Sequence, residues 1–121
     1  MLVVGTVPGL KYDTTLLTAK AGAHLRLLFK NNDDMLHNLV ITNPGRGDAT
    51  GQAALALGLD GLANNYVPDS ADVLYHTALL QPGASETIFF TAPDKPGDYE
   101  FLCTFPGHFQ LMRGILRVTA R

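Results

Sequence analysis

Cys103-Thr104-Phe105-Pro106-Gly107-His108-Phe109-Gln110-Leu111-Met112 is the stretch around which the chain is organised. It holds the only cysteine of the sequence, with His108 and then Met112 following on the same short loop. Pro106-Gly107 turns and stiffens the loop between the two. The residues leading into it, Asp98-Tyr99-Glu100-Phe101-Leu102-Cys103, alternate, so Tyr99, Phe101 and Cys103 share one face of a strand. Far upstream, Met35-Leu36-His37-Asn38-Leu39-Val40-Ile41-Thr42 reads as another strand, with His37 on the face of Leu39 and Ile41.

Working outward, short strand-like runs recur between Gly, Pro, Asn and Asp clusters, the spacing of an all-β sandwich or barrel. Strands are expected at 3–7, 14–20, 24–30, 35–42, 73–80, 87–91, 98–103 and 114–119. The clearest is 24–30, where Leu25, Leu27 and Phe29 point one way and His24, Arg26 and Lys30 the other. Asn31-Asn32-Asp33-Asp34 is a turn cluster. Between about 50 and 62 the pattern changes to good helix formers, with Leu55 and Leu59 as an i, i+4 pair. This predicts one short helix inserted between strands and packed outside the sandwich, capped by Asp48 or Thr50.

The bulk properties exclude several classes. A chain of 121 residues, 46% hydrophobic and 17% charged, is globular and expected to be one domain, 1–121. A formal charge of −2 with no basic run argues against nucleic acid. No apolar stretch approaches the roughly 18–20 residues of a membrane span. Residues 1–5 are too short and uncharged for an export signal, so the chain is either cytosolic or has lost a leader or flanking region. A single cysteine forms no internal disulfide and leaves the redox compartment open.

A thiolate, two imidazoles and a thioether are the ligand set of a blue-copper site, trigonal His₂Cys with a weak, long axial Met. Three of the four donors on one hairpin loop have their mutual angles fixed by the loop, and His37 ties it to a neighbouring strand. Asn38 is placed to bond the Cys103–Thr104 stretch, and the Leu36 carbonyl to approach the site as a further axial contact. Each residue alone has a blander reading: a lone Cys or Met is usually core filler, and a lone inward His a satisfied core residue. Their joint spacing on a Pro-Gly loop is what singles them out. His24 and His76 have no such partners and are assigned no role.

Cys103-Thr104-Phe105-Pro106-Gly107-His108 followed by Leu111-Met112, with His37-Asn38 upstream, resembles the azurin and auracyanin branch of the cupredoxins. The likeness covers nearly the whole chain, including the helical insertion and Tyr75-His76-Thr77. It implies an eight-stranded Greek-key β-sandwich, one type 1 copper ion, and single-electron transfer to proteins such as cytochromes or copper enzymes. It implies a periplasmic or other extracytoplasmic monomer that is not an enzyme, with any lipid anchor or fused domain outside this chain. Carried over residue by residue, His37, Cys103 and His108 are the equatorial ligands and Met112 the axial one.

Three departures from azurin are visible: no disulfide, no tryptophan, and Leu36 in place of a glycine before the first histidine. Met35, Leu36, Phe105, Pro106, Phe109 and Leu111 all suit a core; if His108 lies near the surface, as the resemblance implies, some of them instead form an exposed apolar docking patch around it. Two other uses of these residues are a copper carrier or store, and a hydrolase with Cys103 as nucleophile and His108 as base. A closed loop with one cysteine argues against the first. The lack of an orienting third residue and of an oxyanion site argues against the second.

Overall fold

Period-two apolar patterning drives the fold, because each strand must bury one face. The computed structural model describes residues 1–121. Its elements are β1 (Leu2–Val7), β2 (Lys11–Tyr12), β3 (Leu16–Lys20), β4 (His24–Lys30), β5 (Val40–Thr42), α1 (Gly47–Leu55), β6 (Val73–His76), β7 (Ser85–Thr91), β8 (Gly97–Leu102) and β9 (Arg113–Thr119). Two single-turn 3₁₀ helices, Gly58–Asp60 and Leu62–Asn64, follow α1. One sheet has the order β2-β1-β4-β7 and the other β3-β9-β8-β5-β6. The pairs β1–β4 and β3–β9 are parallel, so both sheets are mixed.

The two sheets enclose one core. Leu27 and Phe29 of β4 meet Phe101 of β8, Leu116 of β9 and Ile41 of β5 there. Burial of each large apolar side chain contributes about 1.5–3 kcal/mol. Tyr12 stands between Phe29 and Phe101, at ring-centroid distances of 5.9 and 5.2 Å. Its hydroxyl donates to the Asn38 carbonyl at 2.7 Å, which satisfies a phenol that would otherwise be stranded in the core.

The sandwich has nine strands where the sequence suggests eight. The additional one, β2, has only two residues, too few to show a period. It pairs with β1 through Thr6–Tyr12 and Val7–Lys11. The expected strand 35–42 shortens to β5, because the backbone just before it bonds elsewhere. Leu39 N–H donates to Thr77 Oγ1 at 3.0 Å, and His37 pairs only with Leu80 through an isolated bridge. The expected strand 73–80 ends at His76 for the same reason, since Thr77 and Leu80 supply those partners.

The helix also begins and ends earlier than 50–62. Neither Asp48 nor Thr50 caps it: Asp48 reaches Arg113, and Thr50 Oγ1 donates back to the Arg46 carbonyl at 2.8 Å. Gly58, the first residue of the 3₁₀ segments, sits at φ +56°, a left-handed turn that keeps them from continuing α1. As expected, α1 lies outside the sandwich, and it packs on β8.

Gly114 of β9 faces Phe101 across the β8–β9 ladder. A Cβ at this position would lie 2.2 Å from Phe101 Cζ, so the ring occupies the space a side chain would need. Gly114→Ala therefore overpacks the core and should cost about 1–3 kcal/mol. Urea denaturation should show a lower midpoint with an unchanged m-value.

Candidate metal centre

Cys103 is the first residue beyond β8, and the end of that strand carries it into the core cluster with its side chain fully buried. The loop that follows closes on itself. Cys103 N–H donates to the Met112 carbonyl at 3.1 Å, and Met112 N–H to the His108 carbonyl at 2.9 Å. His108 N–H donates to the Phe105 carbonyl at 3.0 Å, around Gly107 at φ +86°. His37 lies between β4 and β5, anchored to Leu80 by reciprocal backbone bonds of 3.2 and 2.8 Å.

These segments converge. Cys103 Sγ lies 3.7 Å from His37 Nδ1 and 3.5 Å from His108 Nδ1. One donor atom from each of the three residues falls within 4.8 Å of the others. The spacing can be tested against a shared ion. Bond lengths of about 2.3 Å to sulfur and 2.0–2.1 Å to nitrogen, at angles near 110–120°, require S···N separations of about 3.5–3.8 Å. The observed sulfur–nitrogen separations match, so the thiol and the two imidazoles are spaced as donors to one small thiophilic cation. Met112 is fully buried in the same core cluster as Cys103.

The electrostatics follow from burial. Desolvation pushes the Cys103 thiol up to about 11, only partly offset by backbone N–H groups directed at the sulfur. Desolvation, followed by the charge of neighbouring His37, pulls the His108 imidazole down to about 4, with Asp33 opposing. At neutral pH His108 thus offers a bare nitrogen, while the thiol keeps its proton until a cation displaces it.

Asn38 joins two ligand segments. Its Oδ1 accepts Thr104 N–H at 2.8 Å, and its Nδ2 donates to Thr104 Oγ1 and to the Asn65 carbonyl, both at 2.9 Å. Thr104 Oγ1 donates in turn to the Tyr66 carbonyl at 2.6 Å. Leu36 is half-buried beside His37.

The residues expected around His108 differ in exposure. Met35 and Leu111 are exposed, and Phe105 and Pro106 half-buried. Phe109, expected in this patch, is instead buried: its ring sits where a Cβ on Gly51 would be, 2.2 Å from that position. His108 itself is only 2% exposed, covered in part by Phe105 at a ring distance of 4.9 Å. Three residues at the site are not singled out by the sequence. Asp33 contacts His37, and its i, i+4 spacing was the available signal, masked by its place in a turn cluster. Asn65 and Tyr66 enter through backbone carbonyls, which leave no residue-type signal.

The depressed His108 value gives a pH dependence. Between pH 6.5 and 4 the unfolded chain binds a proton at His108 that the folded chain does not, so stability rises with pH across that window. The metal-free protein should keep this contribution above pH 6.5 and lose it as pH falls towards 4. Urea midpoints measured across the window should fall on acidification. His108→Gln should flatten that part of the curve.

Comparison with known proteins agrees with this geometry. The family model of copper-binding proteins of the plastocyanin/azurin family matches residues 1–119. Auracyanin-A of Chloroflexus aurantiacus is 36% identical over 111 residues, covering 90% of this chain and 67% of that protein. Azurin-1 of Alcaligenes xylosoxydans xylosoxydans is 37% identical over 87 residues, covering 69% of this chain and 65% of that protein. The chain thus spans about two thirds of the length of these relatives. The crystal structure of dithionite-reduced auracyanin from Roseiflexus castenholzii superposes with a TM-score of 0.87 at 32% identity, covering 98% of this chain and 95% of that one. A buried cysteine flanked by two histidine nitrogens, at the end of a mixed β-sandwich with this likeness along its length, places the chain in the plastocyanin/azurin family of copper-binding proteins.

Proposed function

We propose that residues 1–121 act as one type 1 copper domain that passes single electrons between protein partners. His37, Cys103 and His108 are the equatorial ligands and Met112 the axial one. The observation that carries this reading is the buried convergence of Cys103 Sγ on two imidazole nitrogens at 3.7 and 3.5 Å. Copper, when bound, supplies the one-electron couple. The chain's own residues hold the donors in place. The Asn38–Thr104 bonds lock the two ligand segments together, and the backbone bonds of the 103–112 loop fix the spacing of its three donors. The core excludes water from the sulfur, which protects the thiolate from exchange and oxidation.

Transfer needs a close approach to His108, the ligand on the outer loop. Met35, Phe105, Pro106 and Leu111 provide the apolar surface for that contact, while Phe109 packs on Gly51 of α1 instead. Cytochromes or copper enzymes in an extracytoplasmic compartment are the fitting partners. The domain carries electrons and performs no bond chemistry of its own.

Cu(II) added to the metal-free protein should give an intense blue charge-transfer band. The band should bleach with ascorbate and return on oxidation. Cys103→Ser should abolish it, and a colourless Cu(II) complex of the unaltered chain would overturn the reading. Leu111→Glu should leave the spectrum intact. By adding like charge to both faces of a self-exchange encounter, it should slow electron self-exchange by roughly tenfold, as read from NMR line widths of mixed oxidation states.

A further inference from the structure

His37 has two ring nitrogens and only one can face the site. Nδ1 lies 3.7 Å from Cys103 Sγ, while Nε2 lies 2.8 Å from Asp33 Oδ2. The imidazole is fully buried and the Asp33 side chain 15% exposed, so the pair is largely shielded from solvent. No lysine or arginine reaches Asp33; His37 is its only ion-pair partner.

The carboxylate is held in place by a constructed turn. Asn31 is fully buried and its side chain spans the turn, with Nδ2 donating to the Met35 carbonyl at 2.8 Å and to the Leu80 carbonyl at 2.9 Å. Its Oδ1 accepts Asp33 N–H at 3.0 Å. The next residue, Asn32, donates its N–H to Thr6 Oγ1 at 2.9 Å, which pins the turn to β1. Leu80 also pairs with His37 through backbone bonds, so the same residue anchors the His37 main chain and the turn that carries the carboxylate.

We propose that Asp33 is a positioning residue for the site: its carboxylate accepts the Nε2–H bond of His37, keeps Nδ1 bare toward Cys103, and sets a fixed negative charge behind the ring. This rests on the copper reading. Such a partner fixes the tautomer and raises the basicity of the ligand nitrogen. A carboxylate differs here from a neutral carbonyl, because its charge also favours the more positive state of any bound metal. Asp33 therefore tightens metal binding and lowers the reduction potential.

Three variants separate this from an ordinary surface ion pair. Asp33→Asn keeps the shape and an acceptor but removes the charge. Asp33→Ala removes both. Asp34→Asn removes the same charge from the exposed neighbour and leaves the His37 contact alone. Zn(II) titration of the metal-free proteins should show about 10–100-fold weaker binding for Asp33→Ala, a smaller loss for Asp33→Asn, and unaltered binding for Asp34→Asn. In the Zn(II)-loaded protein, NMR should show a slowly exchanging His37 Nε2–H that disappears in Asp33→Ala. The copper potential should rise in both Asp33 variants and stay constant in Asp34→Asn. A blue protein whose Asp33 and Asp34 variants agree in zinc affinity, Nε2–H exchange and potential would overturn the role of Asp33 alone. Failure of the unaltered chain to turn blue with Cu(II) would overturn the copper reading instead.

Discussion

The contact between one thiol and two imidazoles, sealed inside a β-sandwich, is the constraint to which the rest of the structure answers. Polar groups removed from water cost about 1–3 kcal/mol each when left without partners. No buried side-chain nitrogen or oxygen is left without one here. The remaining cost is charge, and the pocket avoids much of it by staying protonated on sulfur and unprotonated on His108 near neutral pH. A cation that expels the thiol proton replaces one buried proton with a buried metal–thiolate pair. The charge that desolvation penalises in the free thiolate is thereby neutralised in place.

Holding that contact rigid falls to a small set of polar side chains, and each bridges segments far apart in sequence. Asn38 links the His37 segment to Thr104 and to Asn65. Asn65 Oδ1 in turn accepts Leu79 N–H at 3.0 Å, next to the residue that bridges His37. Thr77 takes up the backbone of Leu39. Each bond satisfies a group that the local break in strand pairing would otherwise leave unpaired. Regular ladders would have held these backbones equally well, but they would have put the side chains at strand register, with no freedom to aim three donors at one point. The irregular backbone between β4 and β5 is thus what allows His37 to face the site.

This also explains what could be read from the sequence and what could not. The run 24–30 is legible to the residue because it nearly alternates, with Leu28 the one exception, and both flanks are turns; β4 is His24–Lys30. Cys103, His108 and Met112 were legible because their chemistry is rare and their spacing short. The strand reading of 35–39 failed because alternation reports which face is buried, not where the backbone bonds go. His37 and Leu39 are both fully buried there although the segment pairs with side chains and a single bridge. Phe109 was misplaced because an aromatic on a loop carries no signal of the notch that Gly51 opens for it. Asp33 is not legible, because Asp in an Asn-rich run reads as turn chemistry and nothing in the pattern marks its carboxylate as the partner of His37.

The helical insertion is best understood from the strands beneath it. Val40 and Leu102 are register partners on β5 and β8, and both are fully buried, as are their neighbours Ile41 and Phe101 on the opposite face. Strands buried on both faces belong to sheets covered on both sides, and here the cover is α1. Nine residues with two glycines make a weak helix on their own, so its place depends on tertiary anchors. Gly47 N–H donates to Glu100 Oε1 at 2.6 Å, Arg113 joins Glu100 to Asp48, and Phe109 fills the Gly51 notch. Arg113 follows Met112 directly, and Phe109 lies between His108 and Met112. The anchors of the helix are thus the same residues that bracket the ligand loop. Placed here, it packs on β8, the strand that delivers Cys103 to the site.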